Sequence, residues 1–157
     1  MSFARVYGLE TVTLRYFNVF GPRQDPTSQY AAVVPRFIAA VDAGEPVSIY
    51  GDGEQSRDFT YVDNVVDANL RAADASEASG HVMNVATGEP RSVNALADAI
   101  GEVLGKRVEK EYLPPRTGDV RDSWADVAEA RRLLGWEPSV GLEDGLRLTA
   151  DAFLARA

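Results

Sequence analysis

The chain has 157 residues, 45% of them hydrophobic, which is enough for one compact core and too little for two ordinary domains. Its net charge is -8 and its sixteen basic residues are scattered, with Arg131-Arg132 following Glu129, so nucleic acid is not an expected partner. There is no cysteine and only one histidine, His81, which excludes disulfides, a thiolate nucleophile and an imidazole cluster for a metal; His81 opens an apolar strand and reads as structural.

No apolar run approaches the roughly 18 residues of a membrane span, and no basic stretch precedes an apolar one at the start. The expectation is therefore a cytoplasmic protein with no membrane partner.

The first ten residues place Phe3, Val6 and Tyr7 on one side with Gly8 as a stop, the pattern of the last turns of a helix. Thr11 to Val19 reads as a strand that reaches Asn18 and breaks at Gly21-Pro22. A strand so early in the chain predicts the second half of a longer architecture. Val33, Val34, Phe37, Ile38 and Val41 then recur at helical spacing, with Pro35 tolerable in the first turn and Gly44 closing the segment.

Val47 to Tyr50 is a short strand running into Gly51-Asp52-Gly53, and Phe59 to Val62 is another, with Asp63 as the expected N-cap of a helix carrying Val65, Val66, Leu70 and Ala73. Val82 to Ala86 reads as a buried strand. Val93, Leu96, Ile100, Val103 and Leu104 make the inner face of a helix that ends at Gly105. Val108 to Leu113 is an expected edge strand, Pro114-Pro115 a stiff connector and Arg116 to Asp122 a polar loop. Asp126 and Glu129 resemble a capping box, and Leu142, Leu146, Ala150, Phe153 and Leu154 mark a last helix. Strands alternate with helices throughout, which predicts an α/β domain with at least part of its sheet parallel.

Three arginines lie in loops after strands or strand-like segments: Arg23, Arg57 and Arg116. The guanidinium fork suits a diphosphate, because it gives two parallel charge-assisted hydrogen bonds. Each arginine alone reads more readily as a solvated loop cation. Arg116-Thr117-Gly118-Asp119 couples a cation to a carboxylate across a glycine, which fits either a nucleotide clamp on phosphate and ribose or a plain surface ion pair. Asp58 with Asp63, and Asp119 with Asp122 and Asp126, are acid pairs in principle. Their turn and cap positions favour structural roles.

In order, Leu14-Arg15-Tyr16-Phe17-Asn18-Val19-Phe20-Gly21-Pro22-Arg23, Tyr50-Gly51-Asp52-Gly53 with Arg57-Asp58-Phe59, Asn84-Val85-Ala86, Arg116-Thr117-Gly118-Asp119 and Leu134-Gly135-Trp136-Glu137-Pro138 carry a resemblance. The whole chain resembles the C-terminal half of extended short-chain dehydrogenase/reductase proteins, with its nearest likeness to UDP-glucose or UDP-N-acetylglucosamine 4-epimerases. The resemblance implies a partial Rossmann-like sheet plus a small mixed α/β substrate-binding domain. Residues 1–157 would then form a single α/β unit, with the N-terminal NAD-binding half absent.

It further implies that Phe17 lies against the nicotinamide cofactor and Asn18 binds the sugar nucleotide. Val33, Ile49 and Tyr50 would flank the uracil, Arg57 and Arg116 would hold the diphosphate, and Asp119 the ribose hydroxyls. Ser123, four residues after Asp119, stands where epimerases that accept N-acetylated sugars carry a small residue.

Two of the family's motifs have no counterpart here. There is no Gly-x-x-Gly-x-x-Gly turn, and none of Tyr7, Tyr16, Tyr30, Tyr50, Tyr61 or Tyr112 has a lysine four residues on. No residue is therefore assigned to catalysis, and none to a metal. The expected function is the UDP-sugar-binding part of an NAD-dependent UDP-hexose 4-epimerase, inactive alone and not expected to hold NAD tightly. Its expected partners are a UDP-sugar and either a second copy or a complementary N-terminal chain. The alternatives are a fragment of a sugar-nucleotide dehydratase or decarboxylase, or a non-catalytic binding or assembly module.

Overall fold

The computed structural model describes residues 2–25 and 32–155; Tyr30 lies outside them. Helix α1 (Ser2–Tyr7) stops at Gly8, whose positive φ lets its N–H turn back to the Ala4 carbonyl at 3.1 Å. Phe3, Val6 and Tyr7 all face outward on this helix.

The stretch expected as one strand is two, β1 (Thr13–Tyr16) and β2 (Val19–Phe20). The cause is Asn18, whose φ of 32° cannot continue an extended strand, so the chain bends and changes partner. β1 pairs in parallel with β6 (Val82–Val85), and β2 in parallel with β5 (Thr60–Tyr61).

Helix α2 (Val33–Ala43) buries Val34, Pro35, Phe37, Ile38 and Val41, and Gly44 ends it in the left-handed conformation. β3 (Val47–Tyr50) follows and pairs in parallel with β8 (Lys110–Leu113), an edge strand with that one neighbour. β4 (Ser56–Arg57) is the centre of a small mixed sheet, antiparallel to β7 (Arg91–Ser92) and parallel to β9 (Asp122–Ser123).

Helix α3 (Val62–Asp74) begins one residue earlier than Asp63 would require as its N-cap. Tyr61 occupies the N-cap position without a side-chain capping bond, and Asp63 acts within the first turn, where a negative charge is favoured by the helix dipole. A short 3-10 turn (Ser76–Ala78) leads into β6.

Helix α4 (Val93–Leu104) has a true side-chain cap, since Ser92 accepts from the Ala95 N–H at 3.1 Å, and Gly105 closes it. In α5 (Ala128–Leu134) the expected capping box does not form: Asp126 accepts from the Ala128 N–H at 2.8 Å, while Glu129 is engaged by Arg132. Helix α6 (Leu142–Leu154) is the last element.

Two apolar clusters hold these layers together. One joins α2, α4 and α6 to β3 through Phe37, Ile38, Ile49, Leu96, Ile100 and Leu146. The other gathers Met83, Val85, Ala68 and Leu134 around Trp136, which is fully buried.

Asn64, 1% exposed on α3, pins the second cluster to the segment before α6. Its carbonyl accepts from the Trp136 indole at 3.0 Å, its side-chain oxygen accepts the N–H groups of Ser139 and Val140, and its amide donates to the Val140 carbonyl at 2.8 Å. Among the described residues no helix is long and apolar enough to cross a membrane.

Asn64→Ala leaves two N–H groups and one carbonyl without these partners, and the expected loss is about 3 kcal/mol of unfolding free energy. Urea denaturation followed by Trp136 fluorescence measures it; a loss below about 0.5 kcal/mol, ordinary for a surface substitution, would show that Asn64 is not the pin described.

Candidate functional site

Asp58 organises the centre of the site. Its carboxylate is fully buried and accepts the Thr87 N–H at 2.8 Å, the Thr87 hydroxyl at 2.6 Å and the Gly88 N–H at 2.9 Å. These bonds offset the cost of burying a charge, and they give Asp58 the structural role its turn position predicted. Its own N–H donates to the Ser123 carbonyl at 3.0 Å, and its carbonyl accepts from the Asn18 side-chain amide at 3.1 Å. The residue before it, Arg57, is thereby fixed beside Asn18.

The turn that follows β3 is tied down just as closely. Gly53 has a φ of 78°, and a Cβ there would collide with the Asn94 carboxamide. That carboxamide donates to the Asp52 carbonyl at 3.0 Å and to Glu54 at 2.6 Å, while the Asn94 N–H donates to the Gly53 carbonyl. Gln55, nearly buried, donates to the Tyr50 carbonyl at 2.8 Å. Arg121 holds Asp52 at 2.7 Å and, with the Glu54 N–H, keeps that carboxyl below its usual range.

Between these anchors lies a cleft of about 410 Å3 that collects Asn18, Val33, Ile49, Tyr50, Arg57, Arg116 and Asp119. Seven of the sequence-predicted positions thus share one wall system, although they come from five separated stretches of chain. Two do not line it. Phe17 is half-buried at the break between β1 and β2, its N–H on the Val85 carbonyl at 3.2 Å, and Ser123 sits in β9 in register with Arg57. Of the three loop arginines, Arg23 lies apart, exposed and in the left-handed conformation.

Within the cleft the charges are already arranged. Arg57 donates to the Ser56 carbonyl at 2.6 Å and forms an ion pair with Asp119. The Arg116 guanidinium stacks over the Tyr50 ring, 3.8 Å from its centroid, a cation–π contact. Arg116, by hydrogen bonding and by its charge, lowers the Tyr50 phenol below the ordinary tyrosine value; partial burial opposes this, and Arg36 adds in the same direction.

Arg36, Phe37, Gln55 and Val93 also line the cleft, and sequence reasoning missed them. The signal for Arg36 was present: it stands three residues after Val33 on the same helix, hence on the same face.

A larger concavity of about 760 Å3 runs along residues 10–16 and the end of α3. It offers the carboxylates of Glu10 and Asp74 and no arginine, so the smaller cleft is the one with anion-binding chemistry. Among the described residues no group of three or more His, Asp or Glu side chains is placed to hold a metal.

An α/β unit whose strand ends carry two arginines and an aspartate around one slot is the kind of site that binds nucleotides. Residues 1–86 match the family model described as NAD dependent epimerase/dehydratase family, and the chain belongs to that family.

It is 41% identical over 151 residues to a UDP-glucose 4-epimerase of Mycolicibacterium smegmatis, covering 96% of this chain and 48% of that protein. Among solved structures it resembles a Thermotoga maritima UDP-glucose 4-epimerase with UDP-glucose, with a TM-score of 0.93 and 48% identity over 99% of this chain and 49% of that one. It also resembles a UDP-N-acetylglucosamine 4-epimerase from Methanobrevibacter ruminantium in complex with UDP-N-acetylmuramic acid, with a TM-score of 0.92 and 43% identity over 99% and 50%. The chain spans about half the length of the relatives it matches.

A phenol whose value is lowered on folding contributes stability that is present above its unfolded value, near 10.0, and lost as the pH falls through the lowered one. Ultraviolet titration of the native chain is expected to show one tyrosine ionising before the others. Arg116→Met moves that step back up toward the rest, and superimposable titrations of the two proteins would contradict the assignment.

Proposed function

We propose that this chain is the UDP-sugar-binding part of an NAD-dependent UDP-hexose 4-epimerase, the enzyme type that inverts C4 of UDP-glucose and UDP-galactose. The observation that carries the reading is the single cleft on which Arg57, Arg116, Asp119, Tyr50 and Ile49 converge. Arginine forks suit the diphosphate, a carboxylate suits the paired ribose hydroxyls, and the Ile49–Tyr50 wall suits a planar base. Asn18, anchored to the Asp58 carbonyl, keeps its side-chain oxygen available as an acceptor for the sugar.

The chain's own residues do not fit a complete NAD site. NAD supplies the hydride chemistry of this enzyme type when bound. A dinucleotide pyrophosphate needs a glycine-rich turn at a helix N-terminus, and the sequence contains no such spacing of glycines. What this chain offers is the half-buried Phe17 ring as an edge contact. The proton-transfer pair Tyr-x-x-x-Lys is likewise missing from the sequence, so alone the chain binds UDP-sugar without turning it over. A complementary polypeptide segment supplies the rest, in cis or from a partner chain.

Ser123 extends the reading to N-acetylated sugars. It neighbours Arg57 across the β4–β9 pair, and a small side chain there leaves room for an acetamide.

Isothermal titration with UDP-glucose and UDP-N-acetylglucosamine is expected to show weak binding, reduced about tenfold or more by Arg57→Met and by Asp119→Asn. Absence of heat at millimolar ligand ends the proposal. For Ser123, this chain fused behind the N-terminal half of an active relative is expected to epimerise both plain and N-acetylated UDP-hexoses; turnover of the plain sugars only would remove the acetamide argument.

A further inference from the structure

Residues 114–120 form a strap along the cleft that has few ties to the body of the protein. Every one of them is exposed. Before the strap, the Gly51 N–H donates to the Leu113 carbonyl at 2.9 Å; after it, the Ser56 N–H donates to the Arg121 carbonyl at 2.8 Å. Among the described residues, the backbone bond made between those two anchors is the strap's own turn, from the Asp119 N–H to the Arg116 carbonyl at 3.2 Å. Two side-chain contacts fasten it on the cleft side: Asp119 on Arg57, and Arg116 on Tyr50.

A second concavity, of about 510 Å3, shares Tyr50, Gln55, Arg116 and Asp119 with the cleft and adds Asp52 and Arg121, which the cleft itself lacks. The strap is the wall between the two. In this second concavity one nitrogen of the Arg121 guanidinium donates to both oxygens of Asp52, at 2.7 and 3.0 Å. Asp52 is a firm base for it, since its carboxylate also accepts the Glu54 N–H at 3.0 Å and its carbonyl accepts from the Asn94 side chain. Arg121 in turn stands two residues after Asp119.

We propose that Asp52 and Arg121 are positioning residues for the nucleotide: from outside the cleft, their ion pair holds the strap so that Asp119 stays in place for the ribose hydroxyls once Arg57 has turned to the diphosphate. This rests on the UDP-sugar reading and adds to it a pair that touches no part of the ligand.

In the free chain the strap region has three side-chain ties. The ligand draws on two of them, because Arg57 and Asp119 part to meet phosphate and ribose, and Arg116 turns to phosphate. The Asp52–Arg121 pair shares no group with the ligand, so it is the tie that persists. Both its partners are more than half exposed, and such a pair adds little to folding stability. Its effect falls on the bound state, where a strap with no remaining tie would have to be ordered at the expense of the ligand's own contacts.

The test is isothermal titration of the chain with UDP, set beside urea denaturation. Arg121→Met, and Asp52→Asn, which keeps an acceptor for the Glu54 N–H, are each expected to lower UDP affinity about fivefold with an unchanged urea midpoint. The double variant loses no more than either single one, and Arg121→Lys keeps part of the affinity. Hydrogen exchange read by mass spectrometry follows the strap directly. Residues 114–120 are expected to exchange alike in the free unmodified and Arg121→Met chains, and with saturating UDP to be protected more strongly in the unmodified one.

Unchanged UDP affinity in both single variants overturns the proposal, and so does a double variant whose loss is the product of the two, since the residues would then act apart. A shifted urea midpoint with equal strap protection in the two UDP-bound chains assigns the pair to the fold alone and overturns it as well. In each of these cases the unmodified chain still binds UDP and the UDP-sugar reading stands; no binding of UDP by the unmodified chain brings down both.

Discussion

A buried carboxylate survives only where hydrogen bonds replace the water it has lost, and the arrangement of this protein's cleft depends on that condition being met at Asp58. The Thr87–Gly88 turn bonds its oxygens, Ser123 bonds its N–H, and Asn18 bonds its carbonyl. Through one residue, the ends of β1, β4, β6 and β9 are brought to a common point. Arg57 inherits its position from this junction. So does Asn18, which lines the cleft while its side-chain nitrogen is held by the Asp58 carbonyl.

Two of the cleft's three arginines are engaged by other members of its wall. Arg57 pairs with Asp119, and Arg116 lies on the Tyr50 ring. A nucleotide that uses all four groups therefore exchanges partners with them, and its net affinity is the difference between new contacts and old ones. Such an exchange favours ligands that offer both an anion for the arginines and hydroxyls for the carboxylate. A phosphate alone would strand Asp119, and a neutral sugar alone would leave Arg57 where it is.

Much of this was legible in the amino-acid pattern, for local reasons. α2, α4 and α6 announce themselves because apolar residues recur on one face, and Gly44 and Gly105 close the first two in the left-handed conformation only glycine adopts readily. β3 and β6 were recoverable as short apolar runs between turn residues. The break at Asn18 was not, since asparagine is also tolerated in strand ends and its φ becomes visible only in three dimensions. The caps at Asp63 and Asp126 were misassigned because one residue of displacement converts a cap into a first-turn acid or an Asx turn.

Of the site, residue identities were legible and pairings were not. Arg57 and Asp119 are 62 positions apart, and nothing local says that they touch. Arg36 was missed because a charged residue in an amphipathic helix reads as its solvent face. Phe17 and Ser123 were included by resemblance, and the structure seats them beside the cleft's framework and not on its wall.

The bend at Asn18 places two unrelated demands on one position. The backbone requires a residue that tolerates the left-handed region, and the Asp58 carbonyl requires a donor. Glycine would satisfy the backbone and abandon the carbonyl. Aspartate could make the bend but would turn an acceptor toward an acceptor. Asparagine answers both, so an exposed position is constrained from two sides at once.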